Sequence, residues 1–179
     1  MGVDKSKIII ENKSLIEIAV ENFIRAGITE IFISVRCQEQ AEEMMGLFGN
    51  KITTIIDQEK SQGIWDVLKF ALPPNQIVQI LPVDSPWFDS NAIQLLERIF
   101  KEHSEIIGVV PWSDKGPEPL LMQVNSSKFL NLISKKIPIP LRKLVDCDDF
   151  QPIDSKIIEN EIGHENALRN LNRPKDLIF

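Results

Sequence analysis

Two carboxylates stand where a chain of this pattern could use them. Asp57 follows the apolar run Ile52-Thr53-Thr54-Ile55-Ile56, and Asp84 closes Ile77-Val78-Gln79-Ile80-Leu81-Pro82-Val83. Both runs read as buried strands, and open α/β sheets bind ligands just beyond the carboxyl ends of their strands. A carboxylate there can hold Mg²⁺, a hard cation that keeps several waters and takes its other ligands from substrate phosphates. Asp84 lies in Leu81-Pro82-Val83-Asp84-Ser85-Pro86, where Asp-Ser-Pro is equally good turn chemistry, so a turn or cap role is the alternative. Asp57, a few residues ahead of Gly63, has the same alternative as a strand-end turn residue. The D-x-D-x-T pattern of aspartyl-phosphate chemistry is absent around Asp84, which makes it a poor nucleophile. Lys5, on residue type alone, is a solvated lysine near the start of the sequence. Arg142 and Lys143 either meet an anionic substrate or form a solvated face. His103 and His164 lie in polar contexts with no Ser or Cys to pair with, and read as surface residues.

The elements that must position these groups alternate along the first two-thirds of the chain. Ile31–Val35, Ile52–Ile56, Ile77–Leu81 and Ile106–Val110 read as strands. Between them the apolar spacing becomes helical. Leu15, Ala19, Phe23 and Ala26 recur at three- and four-residue steps behind an S-x-x-E capping box at Ser14 and Glu17, with Gly27 as the stop. Gly63–Leu72 and Asn91–Lys101 repeat the helical pattern, the first ended by Pro73-Pro74 and the second capped by Asp89 or Ser90. Leu120–Val124 reads as a strand, Ser126–Lys135 as a helix, and Asp146–Asp154 as a polar connection. Strands joined through single helices imply right-handed crossovers and a mostly parallel sheet in a three-layer α/β/α fold.

Composition narrows the classes. With 179 residues, no repeat and no low-complexity linker, the chain is expected to form one domain over 1–179. A net charge of −6 argues against binding nucleic acid, which requires a basic surface. No apolar run reaches the ~18 residues of a membrane span, so no membrane partner is expected. Cys37 and Cys147 form no C-x-x-C and read as reduced thiols of a cytoplasmic protein.

In order, these pieces resemble the molybdenum cofactor guanylyltransferases, whose opening signature has the form L-A-G-G-x-S-x-R-M-G-x-D-K. Met1-Gly2-Val3-Asp4-Lys5 resembles its last five positions, and Glu11-Asn12-Lys13-Ser14-Leu15-Ile16 the G-K-P-L stretch that opens the first helix. Asp57 with Gly63 resembles the D-x5/6-G before the family's G-P-L-A-G helix, and Leu81-Pro82-Val83-Asp84-Ser85-Pro86 its metal-binding L-P-C-D-x-P. Pro117-Glu118-Pro119-Leu120-Leu121 is similar to the x-x-P-L entry of a late strand, and Asn170-Leu171-Asn172-Arg173-Pro174-Lys175-Asp176-Leu177 to the closing N-x-N-x-P-x-D-L.

The resemblance implies a Rossmann-like nucleotidyltransferase in which the terminal phosphate of molybdopterin attacks the α-phosphorus of GTP and pyrophosphate leaves. It implies that Asp84 holds Mg²⁺, that Lys5 is a point charge on the triphosphate, and that Asp57 helps hold the nucleotide. Asn170 and Asn172 would line the molybdopterin side. Another phosphorylated acceptor, such as adenosylcobinamide phosphate or a sugar phosphate, and an inactive binding domain are the rival readings. Two departures stand out. Gly63-Ile64-Trp65-Asp66-Val67 replaces G-P-L-A-G, and its bulky Trp65 and Val67 are expected to narrow the site. The L-A-G-G-x-S-x-R portion is absent, and with it the first strand and the loop whose backbone N–H groups cradle phosphate. That strand would be central. Its loss strands backbone groups at about 1–3 kcal/mol each, against a typical stability of about 5–15 kcal/mol. The expectation is therefore that Met1 is an internal methionine. A chain truly starting there should transfer GMP weakly or not at all.

Overall fold

The S-x-x-E pattern closes as expected. Ser14 accepts from the Glu17 N–H while the Glu17 carboxylate accepts from the Ser14 N–H at 2.8 Å, which starts the helix at Leu15. At its far end Gly27 adopts φ of 88°, and the Ile28 N–H reaches back to the Phe23 carbonyl at 3.0 Å. Only a residue that tolerates the left-handed region ends a helix this way without strain.

The structure, a computed structural model, describes residues 4–57, 63–103, 105–135 and 139–171. A short hairpin of β1 (Ile9–Ile10) and β2 (Lys13–Ser14) leads into α1 (Leu15–Arg25), followed by β3 (Phe32–Val35), α2 (Gln38–Phe48) and β4 (Thr53–Ile56). Next come α3 (Ile64–Ala71), β5 (Ile77–Gln79), α4 (Ser90–Glu102), β6 (Gly108–Ser113) and β7 (Gly116–Pro117). The chain continues through β8 (Gln123–Asn125), α5 (Ser126–Lys135), α6 (Leu141–Leu144), β9 (Phe150–Asp154) and α7 (Ser155–Ile162).

β3 and β4 pair in parallel, as do β6 and β9, while β8 runs antiparallel between β5 and β6. The expected α/β architecture thus holds, with parallel and antiparallel pairs together in the five-stranded sheet. The reason is local: β6 turns back through the tight β6–β7 hairpin and a 3-10 turn at Pro119–Leu121, too short a path for a crossover helix. β9 falls inside the segment read as a polar connection. Among the described residues it pairs only with β6, and an edge strand tolerates Pro152, which hides the pattern. Successive residues of β6 face opposite layers. Val110 packs with Leu68, Phe129, Ile133 and Phe150, and Val109 with Phe88, Leu96, Phe100 and Ile158. A third cluster, Val20, Ile31, Val35, Ala41, Met44 and Ile52, covers the β3–β4 pair. Gly108 is required where β6 passes β8, because a Cβ there would sit 2.7 Å from the Gln123 carbonyl oxygen.

Among the described residues, the β3–β4 pair and the five-stranded sheet of β5, β8, β6, β7 and β9 are separate, with β3 and β5 at their facing edges. The Ile31 and Val35 carbonyls accept from Thr53 and Asp57, so Phe32 and Ser34 turn their backbone groups away from β4. On the other side the Gln76 carbonyl accepts from Ser126 and the Ile80 N–H donates to Met122, which leaves Ile77 and Gln79 facing away from β8. These two edges line a cavity of about 390 Å³ with Ile28 and Leu68. Two buried amide oxygens on its wall, Gln79 Oε1 and Gln123 Oε1, have no hydrogen-bond partner. The bracketing strands run the same way. Gln76 bonds Glu30 at 3.0 Å beside their starts, while Val35 and Val83 share a second cavity beyond their ends. A space thus separates the β3–β4 pair from the five-stranded sheet among the described residues.

Candidate active site

Lys5 reaches the site because three contacts fold the segment before β1 back onto the helices. Asp4 caps a 3-10 turn at Lys5–Lys7, accepting from the Ser6 N–H at 3.0 Å and the Ser6 hydroxyl at 2.6 Å. The Ser6 hydroxyl holds the Asp4 carboxyl below its usual value, against a smaller opposing effect of burial. Gln40 of α2 donates to Asp4 at 3.2 Å, and Lys7 pairs with Glu43 of α2 at 2.8 Å, which raises the Lys7 ammonium above its usual value. The Leu15 N–H donates to the Ile8 carbonyl at 2.9 Å, fixing the turn to the start of α1.

Asp84 arrives from the opposite direction. The loop after β5 makes two successive turns, from the Ser85 N–H to Pro82 and from the Phe88 N–H to Ser85, each 3.2 Å. Asp89 then caps α4, accepting from Asn91 and Ala92. The two approaches end in a direct contact: Lys5 Nζ donates to Asp84 Oδ2 at 2.7 Å, across 79 residues of sequence. Their side chains are 29% and 19% exposed, so the pair is partly withdrawn from water but open to a ligand.

Asp57 extends the β3–β4 ladder, its N–H donating to the Val35 carbonyl at 2.8 Å and its carboxylate accepting from the Ser34 hydroxyl. It lines a cavity of about 340 Å³ with Asp4, Ser34, Arg36, Gln40 and Val83, beyond the strand ends. Lys5 and Asp84 are not wall residues of this cavity, but Asp4, Ser6 and Val83 beside them are. The fold thus gathers a cation, two carboxylates and a hollow at one sheet edge, while Asp57 makes no direct bond to the pair. Among the described residues no group of three or more His, Cys, Asp or Glu could hold a metal as a cage.

A family model described as "MobA-like NTP transferase domain" matches residues 1–138, more than half of the chain. The chain belongs to this family. A curated relative, the "Probable molybdenum cofactor guanylyltransferase" of Methanothermobacter thermautotrophicus, is 22% identical over 183 residues, spanning 99% of this chain and 90% of that protein. A crystal structure of molybdopterin-guanine dinucleotide biosynthesis protein A from Archaeoglobus fulgidus superposes with a TM-score of 0.75 at 20% identity. The match covers 98% of this chain and 88% of that one, and shows the shared fold.

The other sequence-derived residues of this MobA-like domain are distributed less simply. Asn170 lies beside the Asp84 loop, its Oδ1 accepting from the Ser85 hydroxyl at 2.7 Å. Asn172 lies outside the described residues, as do Met1, Gly2 and Val3. Trp65 does not narrow the site: its indole N–H donates to the Ile139 carbonyl at 2.8 Å and its ring packs against the Leu68 cluster. Val67 lines the space between β3 and β5 instead. Arg142 forks onto both Glu118 oxygens at 2.9 Å, which answers its charge within the protein. His103 ends α4 and His164 contacts the neighbouring Glu165 carbonyl, both exposed. Cys37 and Cys147 are free and exposed. No helix among the described residues is long and apolar enough to cross a membrane.

Sequence reading missed Ser34, Ser85, Arg169 and Trp87. Ser34 steadies Asp57, Ser85 ties Asp84's loop to Asn170, and the Arg169 guanidinium lies 5.6 Å over the Trp87 ring. Only Ser85 carried a signal, as the residue after the candidate metal ligand.

Proposed function

We propose that this chain transfers GMP from GTP to molybdopterin with release of pyrophosphate, in the cytoplasm, with Mg²⁺ as cofactor. The observation that carries the reading is the Lys5–Asp84 pair, assembled from segments 79 residues apart at the carboxyl edge of the strands in a MobA-like fold. The donor chemistry fits the metal. A single partly exposed carboxylate, with no cage of ligands among the described residues, suits an ion that keeps waters and completes its shell with substrate phosphates. Mg²⁺ bound at Asp84 would supply charge neutralisation and polarisation of the phosphate undergoing transfer.

The residues around it divide the remaining work. Lys5 places a positive charge against the triphosphate and holds the Asp84 carboxylate in direction. Asp57, fixed by Ser34, faces the nucleotide cavity. Asn170 presents an amide group to the molybdopterin side, where it can both donate and accept, and the sequence resemblance assigns Asn172 the same role. Phosphoryl transfer of this kind requires alignment and charge stabilisation more than covalent chemistry from side chains, and the site contains groups suited to those tasks.

A second reading, a binding domain without turnover, is favoured by the cavity between β3 and β5, a ligand-sized space beside the site. Titration calorimetry with GTP and Mg²⁺, followed by pyrophosphate release in the presence of molybdopterin, separates the two. Catalysis requires release that falls on the order of a hundredfold or more in Asp84→Asn. Binding without release supports the second reading, and release with adenosylcobinamide phosphate or a sugar phosphate but not molybdopterin reassigns the acceptor.

A further inference from the structure

The loop that carries Asp84 is gripped from one side by residues far away in sequence. The Leu171 N–H donates to the Asp84 backbone carbonyl at 2.7 Å, the Ser85 hydroxyl donates to Asn170 Oδ1 at 2.7 Å, and Arg169 lies over Trp87. Residues 84, 85 and 87 therefore meet 171, 170 and 169 in descending order, as two short segments laid antiparallel. Each segment is anchored independently: Phe88 and Ala167 are fully buried, Leu171 is 1% exposed and Ser85 2%.

This arrangement bears on the direction of the Asp84 carboxylate. The peptide plane between residues 84 and 85 has one soft torsion on the Asp84 side, and that torsion sets how the Asp84 side chain leaves the loop. One hydrogen bond holds the carbonyl of that plane, and a second holds the side chain of the residue that follows. The Lys5 contact constrains the carboxylate at its tip. The clamp constrains it at its base.

We propose that Ser85 and Asn170 form a positioning pair that aims the Asp84 carboxylate at its divalent ion, so that Asn170 acts on the nucleotide side through Asp84 as well as lining the acceptor side. The proposal rests on the reading of Asp84 as a metal ligand. It also separates the two ends of one amide: the Oδ1 of Asn170 serves the clamp, and its NH₂ remains for a ligand.

The test measures Mn²⁺ binding to the whole chain, with no nucleotide present, from the free-ion signal in electron paramagnetic resonance. Ser85→Ala and Asn170→Ala should each weaken binding about two- to tenfold, the range expected for one net hydrogen bond. The double variant should bind no more weakly than either single one, because both changes break the same contact. Asn170→Asp keeps the acceptor oxygen and should bind at least as tightly as the parent to within twofold, although it lacks the amide NH₂. Should Ser85→Ala unfold in a thermal melt, Asn170→Ala decides alone, since Asn170 is exposed.

Parent-like binding by Asn170→Ala overturns the clamp, as does an Asn170→Asp variant as weak as the alanine. Asp84→Asn serves as the reference. If it binds Mn²⁺ as well as the parent, the metal reading and the clamp fall together. If it loses binding while the clamp variants keep it, only the clamp falls.

Discussion

The Lys5–Asp84 contact can be weighed before any substrate is added, through a double-mutant cycle of Lys5→Met and Asp84→Asn. At 2.7 Å the bare attraction is about 1.5 kcal/mol if screened as in water and about 6 kcal/mol at an effective dielectric near 20. The side chains are 29% and 19% exposed, so screening lies between those limits. Partial desolvation of both groups and the ordering of a long lysine side chain offset most of the attraction. The net coupling should be about 1–2 kcal/mol, above the ~0.2–1 kcal/mol of fully exposed pairs. Urea unfolding of the parent, both single variants and the double variant gives the coupling directly, and repetition at 1 M salt should reduce it. The double variant should lose less stability than the sum of the singles, because both changes break the same contact. A coupling below about 0.3 kcal/mol, within the scatter of independent sites, would mean that the turn at Lys5–Lys7 does not hold Lys5 on Asp84 in solution. The site would then lose the direct contact between Lys5 and Asp84.

Three further outcomes follow from the same geometry. Ser14→Ala should cost about 1 kcal/mol through loss of the α1 cap, seen as a lower Tm. The Ser14 hydroxyl lowers the Glu17 carboxyl below its ordinary value, so this part of the cap is present above the ordinary carboxylate range and is lost as pH falls through the lowered value. The Tm difference between parent and Ser14→Ala should therefore shrink between pH 6 and pH 3. Gly108→Ala should destabilise by roughly 2 kcal/mol or more in chemical unfolding, because the new Cβ meets the Gln123 carbonyl oxygen at 2.7 Å and Val124 Cγ1 at 2.8 Å. In hydrogen exchange, the amides of Phe32, Ser34, Ile77 and Gln79, turned toward the space between β3 and β5, should exchange faster than those of Val109 and Val110 in the paired interior of the sheet.

Much of the molecule was legible from local pattern alone. Helix α1 declares itself through its apolar spacing, its S-x-x-E box and the glycine after it. All of these act within a few residues, so the sequence carries them without help from the fold. The strands β3, β4, β5 and β6 stand out because a buried run bounded by turn residues differs plainly from its helical neighbours. The placement of Asp57 and Asp84 at strand ends follows from the same reading. Strand β9 did not show, since pairing along one edge of β6 asks little of its sequence and Pro152 is tolerated there.

Tertiary structure alone decided which of these residues meet. Nothing in the first turn of the chain says that Lys5 will lie 2.7 Å from a carboxylate 79 residues away; Asp4, Gln40, Glu43 and the Leu15 amide fold it there. The grip of residues 169–171 on the Asp84 loop depends equally on two buried anchors, Ala167 and Leu171, whose spacing has no local meaning. The chain thus determined its elements and the chemical types at their ends, because backbone hydrogen bonding and apolar periodicity are short-range. The sheet order and the packing clusters determined the contacts, because those depend on distances that exist only once the layers are stacked.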